Sequence, residues 1–424
     1  MTDRATKPTG IAWDQYRRWF IFGRVFRLSI QARLLTLATV GVLATTFGWW
    51  GLAKVFSGTD ETPLQNLLKG YESCPWHGGT SYASLYYMIF ERVPEPADIK
   101  SQEGPNMGAP VINPFVDPWA RLSAPWRQLF AVSRTFTGAA FLLLCAIWAA
   151  AIWGLIGGAI TRAVVVQLAR EEAISLGSAL RHASKRWKSY FAAPLFPLAA
   201  VAVVAIPAML IGLLMKLSLL FGGILWPFVL LTGLIAAIML VGLSVGWPLM
   251  HAAVSCEGSD SFDALSRSYS YVYQRPIHYL FYAVTATILG ALGLSIVSLF
   301  ADAVQTLAAW SASWGSGSEL MLQALNKSAP HSGADAWGAW LIWFWAGVID
   351  VIVLGFAFAF FWTASTAIYL LLRHDVDGAE LDETFLEEGE TFGLPPLATD
   401  AAGVPVVPPN EAASEVSVTP PPTE

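Results

Sequence analysis

Four groups of residues have types or spacings suited to chemistry. Gly242-Leu243-Ser244-Val245-Gly246 matches G-x-S-x-G, the turn that presents a nucleophilic serine when a strand precedes it and a helix follows. Here it lies inside a long apolar run, where Gly and Ser serve close helix contact. The nearest downstream base, His251, is seven residues on, or roughly 10 Å along one helix, so the segment reads as packing. Cys74-Pro75-Trp76-His77 supplies two metal ligands. A structural zinc site needs four and no second pair lies near, so a turn under an aromatic cap is expected there. Neither G-x-x-x-x-G-K-[ST] nor H-E-x-x-H occurs, which leaves no phosphate loop and no zinc-peptidase pair.

The third group is a single acid. Asp350 is the only carboxylate deep inside an apolar run. An acid at mid-bilayer costs about 2.5–3.5 kcal/mol on insertion scales and defaults to a functional role. Its run, Trp337 to Leu372, has 36 residues, roughly 54 Å of helix against a hydrocarbon core of about 30 Å. Anchoring the run at Arg373 puts Asp350 near the outer boundary, beside a belt of Trp337, Trp340, Trp343 and Trp345. A hydrated or structural acid is expected there, with proton or solute transport as the other reading.

The fourth group is basic. Leu176, Leu180, Ala183, Trp187 and Tyr190 recur at helical spacing, and Arg181, Lys185, Arg186 and Lys188 fall on the other face. A basic amphipathic helix between spans can lie on an anionic leaflet. It can also pack on the ends of the bundle with its charges solvated, and the pattern does not choose between these.

The elements that hold these groups follow from composition. Of 424 residues, 55% are hydrophobic and 13% charged, and the mean hydropathy is +0.52. An average soluble domain carries about 25% charge. This excludes a soluble enzyme, a disordered chain and a disulfide scaffold. Three cysteines far apart in sequence, Cys74, Cys145 and Cys256, argue against an internal disulfide. Six apolar runs are long enough to span: 34–56, 136–160, 191–215, 219–254, 276–303 and 337–372. The fold class expected is an all-α integral membrane protein of six transmembrane helices.

Between the spans the chain is polar. Residues 1–33 are a basic and aromatic segment whose stretch 11–33 sets Trp13, Trp19, Phe20, Phe22 and Phe26 among five arginines, as in an interfacial helix or an ordinary basic flank of the first span. Residues 57–135 form a small irregular outer insert, with 82–90 as a short helical patch. Residues 161–190 and 255–276 are two inner elbows. Residues 305–336 form an outer loop with a short helix at 319–325. Residues 373–424 carry one base against twelve acids, and are Pro-rich and disordered from about Leu394. Lys and Arg number sixteen on the N-terminal side and eight on the other, which predicts both termini in the cytoplasm.

Shifted by 85 residues, the chain partly matches itself. Glu172 falls on Glu257, and Ala179-Leu180 on Ala264-Leu265. Span, elbow, span then occurs twice within 136–304, a parallel repeat. In the second elbow Phe262, Leu265, Tyr269 and Val272 recur at helical spacing, with Asp260 as N-cap.

Ser261-Phe262-Asp263-Ala264-Leu265-Ser266-Arg267-Ser268-Tyr269, just after Pro248-Leu249-Met250-His251, resembles the inner-loop signature of a broad bacterial group. That group includes the membrane domains attached to some glycerophosphodiester phosphodiesterases and related uncharacterised polytopic proteins. The resemblance covers about 140–300 through a short motif. It implies a membrane domain without a phosphodiesterase barrel, so that chemistry does not carry over. The function expected is a non-catalytic scaffold or partner-binding component of a bacterial inner membrane, with a transporter of a small or lipid-like solute as the alternative. No enzyme activity, cofactor, metal or nucleic acid is expected. The partners expected are the bilayer, anionic inner-leaflet lipids and a protein.

Overall fold

The computed structural model describes residues 20–58, 62–72, 111–131, 135–326 and 332–385. Trp13, Arg17, Arg18, Trp19, the Cys74–His77 segment, the 82–90 patch and the tail beyond Phe385 lie outside them. Thirteen helices occur among the described residues and no strand. In chain order they are α1 (Phe20–Ser29), α2 (Ala32–Phe56), α3 (Thr62–Tyr71), α4 (Val116–Leu129), α5 (Phe136–Ala169), α6 (Leu176–Lys185), α7 (Trp187–Ala192), α8 (Leu195–Met215), α9 (Leu219–Glu257), α10 (Ser261–Gln274), α11 (Pro276–Ser316), α12 (Ser318–Leu325) and α13 (Ala334–Asp377).

Six are long and apolar enough to cross a membrane: α2, α5, α7 running into α8, α9, α11 and α13. The chain has the architecture of a multi-pass membrane protein. α5, α9, α11 and α13 hold 34, 39, 41 and 44 residues, roughly 50–65 Å each. A hydrocarbon core of about 30 Å covers little more than half of that, so these helices also build structure outside it. α11 accordingly runs past residue 303 to Ser316, through the start of the segment expected to be an outer loop.

The core centres on α13, which packs against α2, α5, α9 and α11. Trp362, Phe358, Phe360 and Phe361 of α13 are fully buried. Trp153 of α5 stacks on Phe358 and Trp362 at 5.1 and 5.7 Å. Small residues permit these approaches: a Cβ on Gly157 would meet the Trp362 ring at 2.9 Å. In contrast, α8 and the first half of α9 pair mainly with each other. Their remaining surface is apolar and exposed, from Val203 to Val241, as a lipid-facing hairpin must be.

Two parts of the chain depart from the expected arrangement. α1 turns Ile21, Phe22, Val25 and Leu28 inward, with Phe22 6.2 Å from Tyr282 and Phe26 6.0 Å from Phe356. Its apolar stripe covers the bundle, a use the amphipathic pattern cannot distinguish from a leaflet surface. The insert returns α4 into the bundle. Pro248 has no N–H to give the Ser244 carbonyl four residues back, and that carbonyl accepts the Trp119 indole N–H of α4 at 2.6 Å. This contact lies roughly 20 Å from the Glu257 end of α9.

Candidate functional site: the terminal face of the bundle

The ends of α5, α9 and α13, the start of α11 and both elbows meet at one face, which carries most of the ion pairs among the described residues. Each elbow begins at a side-chain cap. Ser175 accepts the Ser178 N–H, and Asp260 accepts those of Phe262 and Asp263, satisfying donors that a helix start leaves open. The two caps lie 85 residues apart.

The second elbow is fastened by ions. Glu257 ends α9 with its side chain 11% exposed, and its Oε2 is 2.8 Å from Arg267 Nη1. Its Oε1 accepts the Tyr369 hydroxyl at 2.6 Å and lies 3.3 Å from Arg373 Nε. Arg267 also pairs with Asp263, one helical turn back, at 3.2 Å. Tyr271 donates to Asp377, and Tyr282 to Asp375 at 2.7 Å. Burial works against the Arg267 charge, but the Tyr271 hydroxyl and the carboxylates of Glu257 and Asp263 outweigh it and raise its pKa. Burial, then the bond to Asp377, raises that of the Tyr271 hydroxyl.

Ala264 and Ser268 are the buried small positions, and Asp263 and Arg267 form the ion pair. The buried stripe is Ala264, Ser268, Tyr271 and Val272. Phe262, expected on it, is 69% exposed. Tyr269 crosses onto α9, donating to the Met239 carbonyl at 2.7 Å. A Cβ on Gly242 would meet its ring at 2.4 Å. The G-x-S-x-G segment therefore makes room for Tyr269, and Ser244 Oγ donates back to Leu240 O at 2.7 Å.

The first elbow is fastened mainly by hydroxyl groups and by arginines on backbone carbonyls, Arg33 on Ile174 O among them, with one ion pair, Glu171 with Arg24, at its start. Ser255 Oγ lies 2.6 Å from Thr161 Oγ1 and 2.8 Å from the Tyr190 hydroxyl. Arg162, fully buried, donates to Ser255 O at 2.9 Å. A Cβ on Gly158 would meet the Tyr190 ring at 2.9 Å.

The four bases expected on one surface separate here. Arg181, Lys185 and Lys188 are exposed. Arg186 turns inward, donating to Gly258 O and lying 4.8 Å from the Phe385 ring. The chain breaks between α6 and α7 at Arg186, with φ −104° and ψ 14°, so a continuous helical wheel misplaces it. Asp350 lies away from this face and is buried between α11 and α13, accepting from Gln305 Nε2 at 3.2 Å. Of the two roles expected, hydrated or structural, this contact goes with the structural one, and it arises because α11 continues past residue 303 and brings Gln305 alongside.

Sequence reasoning missed a strap. After the left-handed Gly378 (φ 67°), residues 379–385 fold across the face. Phe385 N–H donates to Cys256 O at 2.8 Å and Phe385 O accepts from Arg162 Nη1 at 2.9 Å. Arg373 Nη1 donates to Glu383 O at 2.6 Å, and Arg170 Nε to Thr384 Oγ1 at 3.3 Å. Only the sign of charge hinted at this, an acidic segment following a basic body. Cys145 and Cys256 are free and buried, and among the described residues no group of His, Cys, Asp or Glu could hold a metal ion. No family model, curated protein or solved structure matches the chain.

Proposed function

We propose that the chain is a non-catalytic scaffold or partner-binding component of a bacterial cytoplasmic membrane, with both termini and the terminal face in the cytoplasm. The Lys and Arg asymmetry supports that orientation. The 85-residue offset between the two capped elbows supports a parallel repeat of span, elbow, span. The observation carrying the functional reading is the terminal face itself. Its ionic groups engage one another across α9, α10, α13 and the strap, a rigid platform. Arg181, Lys185 and Lys188 remain on its surface for anionic lipid or an acidic protein segment. The buried Asp350–Gln305 pair favours the second reading, transport of a small or lipid-like solute.

The test places a photoreactive residue at Lys188 in native membranes. A discrete protein or anionic-lipid adduct, lost in an Arg181→Gln/Lys185→Gln double variant, supports the scaffold. The scaffold reading fails if that double variant leaves the adducts unchanged. It also fails if Asp350→Asn abolishes a solute flux while folding is intact.

A further inference from the structure

The strap ends beside the first elbow, and Phe385 is held there at three points. Its N–H donates to Cys256 O at 2.8 Å and its carbonyl accepts from Arg162 Nη1 at 2.9 Å. Its ring lies 4.8 Å from the Arg186 guanidinium. A Cβ on Gly258 would meet that ring at 2.8 Å, so the glycine that ends α9 is part of the same seat. Arg186 is the base of the first elbow that turns inward, and it is the one that receives the strap. Lys185 precedes it, Lys188 follows two residues on, and Arg181 stands one helical turn before Lys185. Those three side chains are exposed.

The sequence just past the strap carries the opposite charge. Glu387, Glu388 and Glu390 follow Phe385 within five residues. Two residues of extended chain reach about 7 Å and five about 17 Å. Arg181 lies roughly 8 Å before Arg186 along α6. Anchoring Phe385 therefore brings three carboxylates within reach of three bases. A segment tethered so close competes at millimolar effective concentration without strong contacts of its own. The strap's fastenings are hydrogen bonds and a ring that is 36% exposed, the kind of segment that opens at small cost.

We propose that the acidic segment 387–390 of this chain covers the bases of the first elbow, and that a ligand of those bases must displace it. The displacement rests on the scaffold reading of that surface; the contact does not.

The test treats the full-length protein, one chain per nanodisc, with a carbodiimide that joins a lysine amine to a touching carboxylate, and locates the links by peptide mass spectrometry. Links from Lys185 or Lys188 to Glu387, Glu388 or Glu390 are expected at about 0.1 M salt. They should fall about fivefold at about 1 M, where screening shortens the Debye length to about 3 Å. Lys7, which the N-in, C-in orientation places on the same side, is the reference. Phe385→Pro removes the N–H and the ring, leaving Glu383 O on Arg373 as the next anchor. The tether to Glu387 then lengthens from two residues to four, and links should fall about threefold, as the −3/2 power of tether length. Glu387→Gln with Glu388→Gln and Glu390→Gln should raise the adduct yield at residue 188 in native membranes by about twofold or more. Absence of links to Lys185 and Lys188, or an equal yield at Lys7, overturns the contact and leaves the bases to an outside partner. Links undiminished by Phe385→Pro overturn the strap as its anchor. Adducts unchanged by the three Gln substitutions overturn the displacement. Absence of adducts in both proteins defeats the scaffold reading and the displacement with it, while the links still decide the contact.

Discussion

The first elbow breaks at Arg186 into two short helices, whereas the second runs unbroken from Ser261 to Gln274. Each starts at a side-chain cap, and each lays a tyrosine on a span glycine, Tyr190 on Gly158 and Tyr269 on Gly242. They differ in their charges. The second elbow directs Arg267 at Glu257, a carboxylate it shares with Arg373. The first is held by Ser255, Thr161 and Tyr190 and keeps three bases on its surface. One elbow is thus an internal lock, and the other keeps bases on its surface.

Breaking the lock should have the largest effect. Glu257→Ala leaves the half-buried Arg267 and the more buried Arg373 without their shared carboxylate. It should cost about 2–3 kcal/mol in denaturant unfolding of the detergent-solubilised protein, less than for a fully buried pair because Arg267 is partly hydrated. Asp263→Ala removes only an exposed partner one turn away and should cost about 0.3–0.5 kcal/mol. Equal losses would mean that Glu257 is not the centre of the lock.

Gly158→Ala and Gly242→Ala should each cost about 1–3 kcal/mol through overpacking against the tyrosine. The larger loss should come at Gly242, where the approach is closer. Tyr271→Phe sharpens the comparison through pH. Its hydroxyl has a raised pKa in the folded state, so its contribution is fully present below the ordinary tyrosine value near 10. It is lost as pH rises from there through the raised value. The variant should flatten alkaline destabilisation measured between about pH 9 and pH 11. Ser175→Ala and Asp260→Ala should each cost about 1 kcal/mol, with helix content falling locally in hydrogen exchange. The smallest effect on stability should come from Arg181→Gln with Lys185→Gln and Lys188→Gln, within about 0.5 kcal/mol.

The six apolar runs were legible because a membrane span must be long and apolar whatever it packs against, and Asp260 because a cap is set by neighbours in sequence. The terminal-face cluster was not, because its partners lie far apart along the chain. Glu257 and Arg373 are 116 residues apart, and Cys256 and Phe385 are 129. Helical spacing placed Phe262 on the buried stripe because it is apolar, but the buried positions are Ala264 and Ser268, the latter close to Gly246 of α9. Arg186 was misassigned because Lys185-Arg186-Trp187 contains neither Gly nor Pro to signal a break. The return of α4 follows from Pro248 freeing the Ser244 carbonyl, an event local to α9 whose partner Trp119 is 125 residues away.

The central claim is that the first elbow, and not the second, presents charge to a partner. The direct measurement places the same photoreactive residue at Lys188 and at Ser266, both exposed, in native membranes at about 0.1 M and about 1 M salt, where the Debye length falls from about 10 Å to about 3 Å. Adducts at 188 that are strong at low salt and lost at high salt, with none that respond to salt at 266, are the expected result. Salt-sensitive adducts of equal yield at both positions, or none at 188, would contradict it.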